Sequence, residues 1–509
     1  MAAIADTPAS ASSSSPASPS SLAVSGHIVP PRSRPLPRPK AFDGGGGCGY
    51  KAYTPKCKST STSTQVHVAA LPVAAGDDVL EDEQEYSTQG LHFLHDEQEY
   101  STQGLHALPI VISHAKGAYL WATDGRKYLD FMSAFAVANQ GHCHPRIIAA
   151  LVDQAQRCTL TSRAVYNDKN SVLCKKLCQL LGFEKASAMN TGSDAIDLVI
   201  KLARHWGYTR KGIAKDEAVV LTCTGNFHGK TLTPLAASTN EDIKAYFGPF
   251  LPGVGAECNG RTVRFNNVED LRQVLESDGH RVAAFMVECV QGYGGCRPVS
   301  EGYLRAVREL CTKHNVLLVI DEIQSGFGRA GYFMSYQKEN IQPDLLVLGK
   351  ALTGGVYAMS MVLGSKEVMG DRLPGQHSST FSGNPLACAV ALEAINVVLD
   401  EKLPQRARDL GDRARARLQS IQSPFIAEVT GQGLMIAVSI DESHPSGRVK
   451  ASRLAALMAQ RGVILYSAAH RIRMSPPLVM EETDLWGGID IFESCLRDLV
   501  NIDEKIPGE

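Results

Sequence analysis

The chain has 509 residues, with 51 lysines and arginines against 53 aspartates and glutamates and a formal net charge of −2, a balance that excludes a dominant basic footprint for nucleic acid or an anionic membrane. Hydrophobic residues make up 44%, enough for a large core, while apolar runs such as Val316 to Ile320 are far too short to span a bilayer. The 13 cysteines are scattered without repeated Cys-x-x-Cys pairs, so they read as reduced thiols rather than a disulfide framework or a zinc ribbon.

Residues 1–76 are rich in Ala, Ser, Pro and Gly and are predicted to stay disordered, because they offer little apolar area to offset ordering entropy. They carry seven basic residues and two acids, a bias resembling that of an organelle transit peptide. Pro30, Pro31, Pro35, Pro37 and Pro39 break any amphipathic helix around the basic cluster. A cytosolic protein is therefore the expectation, with mitochondrial import as the alternative. Residues 77–150 form an N-terminal segment in which DEQEYSTQGLH occurs at Asp82–His92 and again at Asp96–His106. Two copies are too few for a solenoid, and the second is read as the one that leads into the folded chain. Ala118–Trp121 and Lys127–Phe131 flank Asp124-Gly125, which favours a hairpin. His142, Cys143 and His144 in GHCHP are consecutive and lack a matching ligand pair at structural-site spacing, so no metal is expected there.

From residue 151 to 385 the pattern alternates. Val219–Thr222, Val282–Val287, Val316–Ile320 and Leu345–Leu348 are predicted strands, and Tyr303–His314 is a predicted helix between two of them. This spacing implies an α/β fold with a mostly parallel sheet covered on both faces, whose ligands collect at the carboxyl ends of the strands. Two of those ends carry chemistry. One apolar run passes into Asp321-Glu322-Ile323-Gln324, the other into Gly349-Lys350. A third element, Met189-Asn190-Thr191-Gly192-Ser193-Asp194, opens a helix with Ile196, Val199, Ile200 and Ala203 on one face. Small residues at such an N-terminus can hold an anion, although Ser and Asp are also routine N-caps. A polar loop, His377–Pro385, follows the lysine strand. A lysine for an imine, a carboxylate for a ring nitrogen, an anion cradle and an aromatic face are together what pyridoxal phosphate requires.

VIDEIQSGFGR at 319–329, LLVLGKALTGG at 345–355, GHCHP at 141–145, MNTGSDA at 189–195 and STFSGNP at 379–385 resemble the class III pyridoxal-phosphate aminotransferases. Within that family, FMSAFAVANQGHCHPRI, LTSRAVYN, KLARHWGYTRKGI, FGPFLPG and RMSPPLV resemble the ornithine aminotransferases. The resemblance implies the type I, aspartate-aminotransferase-like fold, with a large PLP-binding domain over 151–385, a smaller C-terminal α/β domain over 386–509, and a homodimer with shared active sites. It implies Lys350 as the amine bonded to the cofactor and as the proton-moving base, and Asp321 as the partner of the ring nitrogen. Gln324 would reach the ring's 3′-oxygen, Phe227 its face, and Gly192 and Ser193 its phosphate. Thr380 would reach the phosphate of the partner subunit.

The substrate positions depart from that family. Lys230 stands in Asn226–Thr231 where the ornithine aminotransferases have an arginine for the α-carboxylate, and lysine lacks the bidentate fork. Leu105 and Phe135 stand where two tyrosines hold ornithine's α-amino end, and Tyr293 where a glutamate shields an arginine that survives as Arg473. The implied activity is ping-pong transfer of an amino group from ornithine or a related ω-amino donor to a 2-oxoacid. A diverged donor and a non-catalytic paralogue are the alternatives.

Overall fold

The structure is a computed structural model that describes residues 93–102, 107–370 and 375–509. The tail at 1–76, the first DEQEYSTQGLH copy and Leu105 lie outside the described residues. Part of the second copy, Asp96 to Tyr100, belongs to a helix over 93–100.

The strands Val282–Glu288, Leu317–Asp321 and Leu345–Leu348 are buried at every position. Unbroken apolar runs of this kind are what strands covered on both faces need. They form the middle of a seven-stranded sheet whose order is Lys185–Met189, Ser360–Gly364, Leu345–Leu348, Leu317–Asp321, Val282–Glu288, Val219–Leu221 and Val254–Gly255. Ser360–Gly364 runs antiparallel to both of its neighbours, and the remaining pairs are parallel. The helix Gly192–Trp206 packs on this sheet with Ile196, Val199, Ile200 and Ala203 buried, the face that the sequence spacing marks. Tyr303–Lys313 covers Leu317–Asp321 through Tyr303, Leu304, Val307 and Cys311.

Around this centre, the hairpin forms as expected. Tyr119–Ala122 and Lys127–Asp130 pair antiparallel, with Gly125 at φ +81° in the turn, a conformation glycine adopts without steric cost. Val463–Ile464 adds to Lys127–Asp130 in parallel and so ties the two ends of the described chain together. A second sheet of four antiparallel strands has the order Ile426–Gln432, Met435–Ile440, Arg471–Met474, Tyr466–Ala468. The described cysteines are all free thiols. Among the described residues no helix is long and apolar enough to cross a membrane.

Candidate active site

The parallel strands end along one edge of the sheet, and the residues that follow them line a cavity of about 300 Å³ that includes Gly192, Ser193, Phe227, Lys230, Glu288, Asp321, Gln324 and Lys350. Because the register sets Asp321 beside Glu288 on one side and beside Val347 on the other, the two acids lie next to each other, with the lysine just past the end of the adjoining strand. Lys350 is held at φ +45°, in the left-handed region that is costly for a residue with a Cβ. Burial, followed by the charge of Arg473, pulls its pKa down to about 8.

Asp321 is 4% exposed. One of its oxygens lies 2.8 Å from Nδ1 of the buried His228, and the other accepts from the amide of Ile323 at 3.0 Å. Burial alone would lower the imidazole's pKa, but the bond to Asp321 and that carboxylate's charge outweigh it and hold the pKa above the usual value. Nδ1 therefore carries a proton toward the carboxylate, which leaves Asp321 an acceptor toward the cavity. Glu288 accepts from the Phe227 amide at 3.0 Å, and burial pushes its carboxyl up to about 7. Neither His228 nor Glu288 was expected from the sequence. Glu288 had a signal, as the acid closing a third apolar run, whereas nothing in Asn226–Thr231 distinguishes His228.

The anion cradle is built by the first turn of Gly192–Trp206. Thr191 accepts from the Asp194 amide while Asp194 accepts from the Thr191 amide, a reciprocal capping box that leaves the first helical amides pointing outward. A Cβ on Gly192 would lie 3.0 Å from Ile323 Cδ1, and one on Gly229 would lie 2.5 Å from Ser193 Oγ. The open space at this helix start thus depends on missing side chains.

Of the other expected residues, Gln324 lies on the wall of this cavity, and Phe135, Tyr293, Arg473 and Thr380 lie outside its lining. The Gln324 amide donates to the Phe135 carbonyl at 3.1 Å. The Phe135 ring meets Tyr466 edge-on at 4.8 Å. Tyr293 stacks on Phe227 at 5.6 Å, and its hydroxyl accepts from Asn240 at 2.9 Å. Arg473 is buried on the second sheet with its Nε unpartnered. Thr380 is exposed in the loop after residue 375. The GHCHP imidazoles are engaged by acids, His142 by Asp130 at 2.6 Å and His144 by Glu401 at 3.0 Å.

These residues fit pyridoxal phosphate: an amine with a lowered pKa, a buried carboxylate held as an acceptor, an aromatic ring and a glycine-lined helix start converge on one cavity. Fold and site together define a pyridoxal-phosphate-dependent transferase.

A sequence profile of the family Aminotransferase class-III matches residues 100–496, and the chain belongs to that family. It is 47% identical over 399 residues to an ornithine aminotransferase of Schizosaccharomyces pombe, covering 78% of this chain and 91% of that one. A mitochondrial ornithine aminotransferase of Arabidopsis thaliana is 41% identical over 436 residues, 85% of this chain and 87% of its own. Among solved structures, the Toxoplasma gondii ornithine aminotransferase superposes with a TM-score of 0.77 at 36% identity, covering 84% of this chain and 99% of that one. An acetylornithine aminotransferase from Elizabethkingia anophelis gives 0.73 at 40% identity, covering 80% and 99%.

Proposed function

We propose that this aminotransferase takes the δ-amino group of ornithine and passes it to 2-oxoglutarate, giving glutamate semialdehyde and glutamate by a ping-pong route. The observation that carries the reading is its high identity, over most of its length, to several enzymes bearing that name, in a chain that keeps Lys350 and Asp321 in one cavity. The relatives do not favour a diverged donor.

The cofactor, when bound, supplies an aldehyde on an electron-withdrawing ring. Asp321, fixed by His228 and the Ile323 amide, keeps the ring nitrogen cationic. Lys350, whose pKa is lowered to about 8, releases its proton far more readily than a free lysine and moves the proton at the donor carbon. Phe227 would cover one ring face, and Gly192 and Ser193 would hold the phosphate through backbone amides. Gln324, on the same wall, would be the residue to meet the ring's 3′-oxygen. Lys230, at the cavity wall, offers a point charge to ornithine's α-carboxylate. Phe135 and Tyr293 shape the approach. Arg473, whose Nε has no protein partner, recruits the α-carboxylate of glutamate and 2-oxoglutarate, because a buried guanidinium without an acid favours an acidic ligand. We infer a homodimer in which Thr380 reaches the neighbouring subunit's phosphate. We also infer a cytoplasmic location, on the prolines of residues 30–39. The test is turnover with ornithine, N-acetylornithine, 4-aminobutyrate and putrescine at fixed 2-oxoglutarate; ornithine should have the highest kcat/KM, and any other donor exceeding it overturns the proposal.

A further inference from the structure

Beyond the Phe227–Tyr293 stack lies a second, larger cavity of about 530 Å³, walled by Asn226, Gln291, Tyr293, Arg264, Arg297 and Arg471 among others, with no carboxylate on its wall. Arg264 is neutralised by a two-point bond to Asp270 at 2.7 and 2.8 Å. Arg297 and Arg471 have no acid within ion-pair distance among the described residues. Two uncompensated guanidiniums on one concave surface repel each other and attract a multivalent anion. Arg471 is also seated: Gly295, at φ +102°, lies so close beneath it that an added Cβ would be 2.9 Å from its Cδ and Nε. The acceptor side is separate. Asn226, 2% exposed, gives its amide hydrogens to the Ala237 carbonyl and leaves a buried Oδ1 with no partner. An unpaired buried acceptor is costly unless a ligand donates to it.

We propose that this cavity is a binding site for a small polycarboxylate that also carries a hydroxyl, the carboxylates meeting Arg297 and Arg471 and the hydroxyl donating to Asn226. The site is independent of the ornithine reading, and its occupant sits on the far side of the stacked rings from the cofactor cavity.

Isothermal titration of the cofactor-loaded protein with citrate tests it, with tricarballylate, the same skeleton without the hydroxyl, as the second probe. Saturable citrate binding at low millimolar concentration is expected. The double variant Arg297→Gln, Arg471→Gln should weaken it about tenfold or more, as loss of charge-assisted hydrogen bonds does, while its near-ultraviolet dichroism and cofactor absorbance stay unchanged. Arg473→Gln should leave citrate binding intact. Tricarballylate should bind several-fold more weakly than citrate. No saturable binding, equal binding by the folded double variant, loss of binding in Arg473→Gln, or equal affinity for the two probes would each overturn the proposal.

Discussion

The amine of Lys350 lies among acids and yet gives up its proton more readily than a free lysine, because burial together with the charge of Arg473 brings its pKa down to about 8. Uptake of pyridoxal phosphate needs the neutral amine, so the rate at which apoprotein regains its cofactor absorbance should rise with pH through about 8. Arg473→Gln should move that midpoint upward; a midpoint unmoved by the substitution would show that the field of Arg473 does not reach the amine. Glu288 gives the opposite sign. Its folded pKa of about 7 lies above the ordinary carboxylate value of 4.5, so the folded chain holds a proton that the unfolded chain has released. Its contribution is therefore fully present below about pH 4.5 and is lost as pH rises through 7, a change on the order of 3 kcal/mol. In Glu288→Gln that pH dependence should vanish, and the variant should melt at a higher temperature than the parent at pH 8. The residue scale was partly legible. Asp321 and Lys350 stand out because an apolar run ends abruptly in a charge. His228 does not, since its role depends on burial against a strand 93 positions away.

Among the elements, the turn Ser133–Ala136 is the one the sequence gives no hint of. Four consecutive residues without glycine, Ser133, Ala134, Phe135 and Ala136, have φ between +42° and +66°, where each L-residue costs about 1–2 kcal/mol. What holds them there is Arg329, fully buried, which donates to Asn139, Ser133, the Leu434 carbonyl at 2.8 Å and the Pro476 carbonyl at 2.7 Å. Ser133 also donates to the Ser475 carbonyl. Arg329→Met should leave these acceptors unsatisfied and lower the unfolding free energy by roughly 3–5 kcal/mol, measured by urea denaturation. A loss under 1 kcal/mol would mean that the turn is held by other contacts. Four central strands and the helix Tyr303–Lys313, by contrast, were legible to within a residue or two, because hydrophobic periodicity is a local property, whereas Lys185–Met189, Ser360–Gly364 and Val254–Gly255 were not. The left-handed turn is imposed by partners up to 342 positions away, and Tyr293 likewise shows its stacking on Phe227 only once the fold brings the two rings together.

For the whole molecule, the exposed position of Thr380 and its proposed reach into a neighbouring subunit make complementation the informative experiment. Lys350→Ala and Thr380→Ala homodimers should both be poorly active. Unfolding and reassembling the two together should restore about a quarter of the wild-type sites, because half of the assemblies are mixed and each of those keeps one intact site. No recovery above the parents would place Thr380 within its own subunit's site. The sheet order also bears on the chain as it is being made. Among the described residues, Lys185–Met189 finds its hydrogen-bonding neighbour only in Ser360–Gly364, and the Ser360 hydroxyl fastens onto the Thr191 carbonyl at 2.6 Å. A nascent polypeptide must therefore wait at the ribosome for some 170 further residues, about ten seconds or more of translation, before the glycine notch of its active site has a wall to lean on. Until then that strand is an open edge, and a stalled or truncated message would release a product prone to clump.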